Sequence, residues 1–242
     1  MKTWINIARY HAIRPAIYLG MPWAILAFSF AVNLIIFHLV PVGHHVIVNG
    51  HGLIPVENTA HHDTGAVAII YIFFFVMGVF SIGQSLPFGL ALGLSRRSYY
   101  TGTALFAVTL AAAVGLALTV LQAIERATGG WGVAMHFFRV PYILDGPWYL
   151  TWLTSFVALA LLFVYGMWFG IVYRRWNLAG LLSFIAAQAL AAVLLIIGMA
   201  HDWHGVGRFF TTLTIGGLTG LLAALAVVLL AGGYATMRHV TV

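Results

Sequence analysis

Histidines supply most of the side chains in this sequence that could bind a metal. The chain has 11 histidines, and many fall in three short stretches, VGHHVIVNGHG, TAHHDTG and AHDWHG. Imidazole nitrogens beside a carboxylate are suitable ligands for zinc or copper. The candidate metal ligands are His44, His45, His61, His62, Asp63, His201 and His204. Two other interpretations stay open: polar residues tolerated at an interface, and pH gating, since a free imidazole titrates near pH ~6.5.

Two pairs of adjacent arginines are the second unusual feature, because only 7% of the residues are charged. Arg96 and Arg97 lie in GLALGLSRRSYYTGT, and Arg174 and Arg175 lie in YRRWN. Each pair separates two long apolar runs. The chain has no cysteine, which excludes disulfides, thiolate metal sites and cysteine catalysis.

The composition is that of an integral membrane protein. Hydrophobic residues make up 62% of the 242 residues, and the mean hydropathy is +1.01. A transmembrane helix needs about 20 mostly apolar residues. We assign helices rather than strands, because open strands would leave unpaired backbone groups in lipid. The expected fold is all-α, a single transmembrane domain over 1–242 with six transmembrane helices, at about 16–40, 66–88, 103–124, 149–173, 178–200 and 209–237.

The segment before the first span predicts a helix that lies in the membrane interface, over 1–15. With six spans, eight of the 11 basic residues fall on the side of the N-terminus and three on the other, while all five acids fall opposite the N-terminus. The positive-inside rule then places both termini in the cytoplasm of a multi-pass cell-membrane protein. The basic pI of about 9.9 is explained by this topology, and no nucleic-acid partner is expected.

The second apolar run is too long for one span. Residues 66–94 would extend about 44 Å as a helix, against a hydrocarbon core of roughly 30 Å. Pro87, Gly89 and Gly93 predict that the span ends near Leu86 to Gly89. We expect a short helix along the cytoplasmic surface to follow and to lead into Arg96 and Arg97.

The run PFGLALGLSRRSYYTGTALF resembles the loop between the second and third helices of type-2 class ABC exporter permeases, in particular the small six-span actinobacterial ones. The resemblance implies a coupling helix on which a separate P-loop ATPase sits, and two copies of the permease. The ATPase-coupling residues that it implies are Ser95, Arg96, Arg97, Ser98, Tyr99 and Tyr100.

Amides within the apolar runs are the candidates for a translocation path: Asn33, Gln84 and Gln188. In lipid such groups face protein or a water-filled cavity, and hydrogen bonding between helices explains them equally well. In the exporters that the chain resembles, the first and fifth helices face each other across the dimer axis, which implies a path lined by Asn33 and Gln188. Gly216 and Gly220 form a GxxxG motif, for which we expect packing within the chain.

Other functions are weighed against these residues. The only lysine is Lys2, so the chain cannot form a P-loop and is not itself an ATPase. No mid-span serine or aspartate pairs with a histidine, which disfavours an intramembrane hydrolase. The alternative to a transporter is a redox subunit that binds haem or a metal, with His38 and either His201 or His204 as axial ligands. We expect a transport subunit rather than an enzyme, and its substrate cannot be read from these residues.

Overall fold

The chain is mostly helical, with five helices that are long and apolar enough to cross a membrane. The computed structural model describes residues 20–39, 46–49, 52–55, 62–140, 144, 146–201, 207 and 212–237. The expected interfacial helix over 1–15 lies outside these residues. The described helices are α1 Met21–Leu39, α2 Ala68–Gly83, α3 Ser85–Ala91, α4 Arg96–Ala127, α5 Trp148–His201 and α6 Ile215–Thr236.

Helix α4 is longer at both ends than the predicted span 103–124. Its N-terminal residue is Arg96, and Glu125 lies close to its C-terminus. The 29 residue steps from Arg96 to Glu125 correspond to about 44 Å of helix, more than the roughly 30 Å of a hydrocarbon core. The charged residues of α4 are therefore at its two ends, farther apart than the thickness of that core.

Helix α5 contains 54 residues and reverses direction at Asn177. Asn177 has φ 57° and ψ −157°, a positive-φ conformation outside the left-handed helical region and one that glycine normally adopts. Residues at nearly the same number of positions before and after Asn177 in the sequence are in contact. The Tyr165 hydroxyl donates a hydrogen bond to Oε1 of Gln188, and the rings of Phe169 and Phe184 are 5.3 Å apart. We call 148–176 the first arm of α5 and 178–201 its second arm; the two arms run antiparallel.

Short strands occur between the helices, and the sequence analysis did not foresee them. Strand β1, Val46–Asn49, pairs antiparallel with β2, Gly52–Pro55. Strand β3, His62–Asp63, pairs in parallel with β4, Met135–His136. VIVN is a β-favouring run, and only two residues separate it from GLIP, a spacing that is typical of a β-hairpin. The second pair joins the loop before α2 to the loop after α4.

The first arm of α5 is at the centre of the bundle and packs closely against α2. All the buried residues of α5 lie in this arm. A Cβ atom at Gly78 or at Gly166 would collide with a backbone carbonyl of the facing helix, and one at Gly170 would lie 2.7 Å from Cβ of Ile82. The two backbones therefore approach as closely as only glycine permits.

Helix α6 is attached to the first arm of α5 by buried polar contacts. The hydroxyls of Thr154 and Thr219 are 2.7 Å apart, and Nε1 of Trp168 donates to the carbonyl oxygen of Leu229 at 2.9 Å. In contrast, among the described residues no atom lies within 4 Å of a Cβ built at Gly216 or Gly220. The expected packing of this GxxxG motif is therefore not seen in the described part of the chain, where the small residues at the closest helix contact are in α2 and α5 instead.

Gly166→Ala is expected to lower the free energy of unfolding by about 1–3 kcal/mol or more, because its methyl group overlaps the carbonyl of Phe75. The matched control is Gly220→Ala, which adds the same methyl group to open space within a helix and is expected to be neutral or slightly stabilising. Reversible denaturation in mixed detergent micelles measures both. Equal stability of the two variants would refute the close crossing.

Candidate functional site

The SRRS segment forms the start of α4. The Ser95 side chain is the N-cap: its Oγ accepts a hydrogen bond from the Ser98 backbone N–H at 3.1 Å and donates to Oγ of Ser98 at 2.8 Å. Arg97 is exposed and Arg96 is partly exposed. A helix N-terminus favours negative charge, so two arginines in the first turn do not stabilise the helix.

Tyr99 and Tyr100 point into the bundle. They are only 1% and 3% exposed. The Tyr99 hydroxyl donates to the carbonyl oxygen of Ser81 in α2 at 2.6 Å, and the Tyr100 hydroxyl donates to that of Leu230 in α6 at 2.9 Å. Tyr99 and Tyr100, which the resemblance includes among the ATPase-coupling residues, therefore lie inside the bundle and not on its surface. An aromatic residue at an apolar helix face buries more area inside the bundle than at the surface.

The break between α2 and α3 occurs at Gln84, earlier than the predicted end near Leu86 to Gly89. The reason is Pro87, which has no N–H and so cannot bond the carbonyl one turn before it, at Gly83. Arg174 replaces that missing donor. Its Nε donates to the Gly83 carbonyl oxygen at 3.0 Å, and its Nη2 donates to the same atom.

Arg174 thus has a structural role in addition to the topological one expected for the pair. It is half-buried, whereas Arg175 is exposed and stacks over the ring of Trp176 at 4.6 Å. The end of α2 therefore receives hydrogen bonds from Tyr99 of α4 and Arg174 of α5. Helices α2, α4 and α5 therefore meet where Pro87 interrupts the helical hydrogen bonds at the end of α2.

Arg174→Gln is expected to lower the free energy of unfolding by about 1 kcal/mol, the lower end for a charge-assisted bond because the guanidinium is only half-buried. In a Pro87→Ala background the loss should shrink, since an alanine at this position would supply the missing N–H to the Gly83 carbonyl. A double-mutant cycle in mixed micelles measures this coupling. If the effects of Arg174→Gln and Pro87→Ala on the free energy of unfolding were strictly additive, this coupling would be contradicted. Arg175→Gln is the control for the loss of one positive charge.

The amides proposed for a translocation path are not brought together. Nδ2 of Asn33 donates to the carbonyl oxygen of Ser29 in its own helix at 2.8 Å. Gln188 accepts from Tyr165 between the two arms of α5. Gln84 is exposed at the break between α2 and α3. Asn33 and Gln188 are each half-buried, so both retain some access to the surface of this single chain.

Most of the candidate metal ligands lie outside the described residues. His44, His45, His61 and His204 are among them. The backbone of His62 and Asp63 forms β3, and His201 is exposed at the end of α5. His38, an axial candidate for haem, is exposed near the end of α1. Within the part of the chain that the structure describes, no three histidine or carboxylate side chains are close enough to hold a metal ion.

Glu125 is the functional-site candidate that sequence reasoning missed. It is 1% exposed and accepts hydrogen bonds from the polypeptide at the end of α4. Its Oε2 accepts from Nε1 of Trp131 at 3.0 Å and from the backbone N–H groups of Phe137 and Phe138 at 3.0 and 2.9 Å. Its Oε1 accepts from the N–H of Arg139 at 3.1 Å. One carboxylate thus organises the loop that leaves α4.

Two residues of α4 close to Glu125 donate hydrogen bonds to the later part of the same loop, at Leu144. Nε2 of Gln122 donates to the carbonyl oxygen of Leu144 at 2.5 Å, and Nη2 of Arg126 donates to the same oxygen at 3.3 Å. The signal in the sequence was an acid beside the end of a long apolar helix, followed by the turn residues TGGWG. The sequence analysis counted Glu125 only among the five acids that fall opposite the N-terminus.

Glu125→Gln is expected to lower the free energy of unfolding by about 3 kcal/mol, because the amide can no longer accept at both oxygens and points N–H groups at an N–H donor. The measurement is reversible denaturation in mixed micelles. Thr109→Val serves as the control within α4, since its hydroxyl bonds only the Leu105 carbonyl of its own helix. A loss no larger than that of the control would contradict the role of Glu125.

Comparison with known proteins does not extend this description. No protein-family model, no curated protein and no solved structure matches the chain.

Proposed function

We propose that this chain is the membrane-spanning permease subunit of an ATP-driven exporter of the ABC class, coupled to a separate ATPase chain. The observation that carries the proposal is the connection of α3 to the bundle interior. The ring of Tyr99 lies against Gly89, where a Cβ would be 2.7 Å from Cδ2, and the Tyr99 hydroxyl bonds Ser81 of α2. A displacement of α3 would be transmitted to α2 through one rigid side chain.

The helix pattern supports six crossings. The two arms of α5 have 29 and 24 residues on either side of Asn177, so each is long enough to span when counted separately. With α1, α4, α6 and the 24-residue segment Ala68–Ala91 that α2 and α3 form together, they make six, and an even number returns the chain to the side where it began. The excess of arginine and lysine on that side supports an orientation with both termini in the cytoplasm of a cell-membrane protein.

The cytoplasmic end then carries α3 and the exposed charges that precede the Tyr99 contact. Arg96 and Arg97 stand one turn before the buried tyrosine. A partner that binds the arginines or α3 would act on the same turn of α4 that holds α2. Helix α3 would then be the coupling helix that the resemblance implies. Nucleotide hydrolysis would take place on the partner, with no catalysis in this chain.

Two copies of the chain are part of this proposal. The apolar residues of α1 and of the second arm of α5 are largely exposed; Leu194 and Ile196 in the second arm are 60% and 64% exposed. These surfaces are available to lipid and to a second copy. Asn33 and Gln188, half-buried on these same two elements, are the residues that we propose beside the translocation path, with Gln84 at its cytoplasmic side.

Arg96→Ala/Arg97→Ala is expected to reduce copurification of a P-loop ATPase with the tagged chain at least several-fold, because it removes the exposed cations of the docking surface while leaving Tyr99 in place. The measurement is quantitative mass spectrometry of the complex from native membranes in mild detergent. Arg175→Ala, an exposed arginine of the other pair, is the control. Normal insertion with undiminished recovery of the ATPase would overturn the coupling role.

If no ATPase copurifies with the unmodified chain, even after mild crosslinking, the permease proposal fails. The same sample then tests the redox alternative directly. Bound haem would give an intense Soret band, and none is expected from a permease.

A further inference from the structure

Both arms of α5 line an apolar cavity next to their reversal at Asn177. The cavity has a volume of about 510 Å³ and is lined by Val172, Trp176, Ala179, Gly180, Ser183 and Phe184. The three small residues in this lining leave a groove between the rings of Trp176 and Phe184. The Ser183 hydroxyl donates to the carbonyl oxygen of Ala179 in its own helix at 2.9 Å, so the wall of the groove is mostly apolar.

Contacts within α5 hold the two aromatic walls of this cavity in place. The ring of Phe184 is in edge-to-face contact with that of Phe169 in the first arm, at 5.3 Å between centroids. A Cβ atom at Gly180 would collide with Cβ of Trp176, so the second arm approaches the end of the first as closely as only glycine permits. The groove is therefore shaped by the chain itself and does not need a ligand to form it.

The cavity extends from one membrane surface into the depth of the bilayer. Arg175 marks that surface, because an arginine at the centre of a bilayer is costly. Phe184 is seven residues after Asn177, or about 10 Å of helix, so the cavity reaches well into one leaflet of a core roughly 30 Å thick. Trp176 is 51% exposed on a segment apolar enough to cross a membrane. Lipid can therefore reach the cavity from the side.

Arg175 supplies the charge at the mouth of the cavity. Its guanidinium carbon lies 4.6 Å from the centroid of the Trp176 ring, and it has no hydrogen bond or ion pair with a described residue. Such a stack uses the face of the guanidinium and leaves the N–H groups at its edge. Among the described residues, no carboxylate lies at this end of the bundle. Glu125 is near the far end of α4, and Asp63 is in β3, which pairs with the loop after α4.

We propose that this cavity binds an anionic phospholipid from the leaflet on the side of Arg175. The guanidinium of Arg175 binds the phosphate at the membrane surface, and the start of one acyl chain lies in the groove between Trp176 and Phe184. The positive charge favours a head group with a net negative charge over a zwitterionic one. The depth of the groove and its lateral opening favour a lipid over a soluble anion. The site contains none of the residues assigned to ATPase coupling, so it does not depend on the proposed function.

The test uses the purified full chain in detergent micelles, with phosphatidylglycerol and phosphatidylcholine whose acyl chains are brominated near the head group. Bromine quenches tryptophan fluorescence at contact, and the difference between the unmodified chain and Trp176→Phe isolates the signal of Trp176. We expect phosphatidylglycerol to quench this signal at about fivefold lower concentration than phosphatidylcholine, the ratio that one arginine near a membrane surface gives. Native mass spectrometry with the two lipids at equal concentration should retain phosphatidylglycerol in preference.

Charge variants test the role of Arg175. Arg175→Gln should remove the preference for phosphatidylglycerol, and Arg175→Lys should keep most of it, since lysine retains the charge. Arg97→Gln is the matched control, because it removes an exposed arginine from the same end of the bundle that does not line the cavity. The control should keep the preference.

A second pair of variants tests the groove. Ala179→Leu keeps Arg175 and fills the groove from an exposed position, so it should strongly reduce quenching of Trp176 by both lipids. Ala192→Leu adds the same side chain at another exposed position of the second arm and should leave the quenching unchanged. Undiminished quenching in Ala179→Leu would place the lipid outside the groove and contradict the proposal.

Three further results would overturn the proposal. The first is quenching of Trp176 by the two lipids at equal concentrations, which would indicate an ordinary boundary lipid. The second is an equal loss of preference in Arg97→Gln and Arg175→Gln, which would indicate general attraction to a charged surface. The third is the absence of Trp176 quenching by either lipid, which would indicate that a second copy of the chain or one of its own segments occupies the cavity.

Discussion

Within hydrocarbon every backbone carbonyl and N–H group needs a partner supplied by the protein, and the polar side chains of this bundle satisfy that constraint. Pro87 leaves the Gly83 carbonyl without its helical donor, and Arg174 provides one. Glu125 satisfies three successive N–H groups where the chain has left α4. Arg174 and Glu125 are thus placed where the helical hydrogen-bond ladder is interrupted or ends.

Indole and phenol groups extend the same principle between helices. Nε1 of Trp152 donates to the carbonyl of Ala112 in α4 at 3.2 Å, and Trp168 and Tyr100 donate to neighbouring carbonyls of α6. Each of these donors fixes two helices relative to each other while its ring fills the contact. In lipid, where apolar burial gives little preference for protein over solvent, such bonds and close glycine contacts carry more of the specificity.

The sequence predicted the apolar helices well, because length and hydropathy are properties of local stretches. It misplaced the end of α2, since the effect of Pro87 appears one turn earlier, at Gly83, and its compensation comes from Arg174, 91 residues away along the chain. From the sequence, Tyr99, Tyr100 and Glu125 were each assigned to a loop or to the end of a span, because loops are close to them along the chain. Their burial depends on which helices adjoin them, a property that no single stretch contains.

The crossing of α2 and α5 at Gly78 and Gly166 has a mechanical consequence. The close contacts extend from Phe75 to Gly83 of α2, about two turns of helix, so they join this half of α2 to the first arm of α5 along a stretch and not at a single point. A force applied at Gly83 would therefore move the first arm of α5 together with α2.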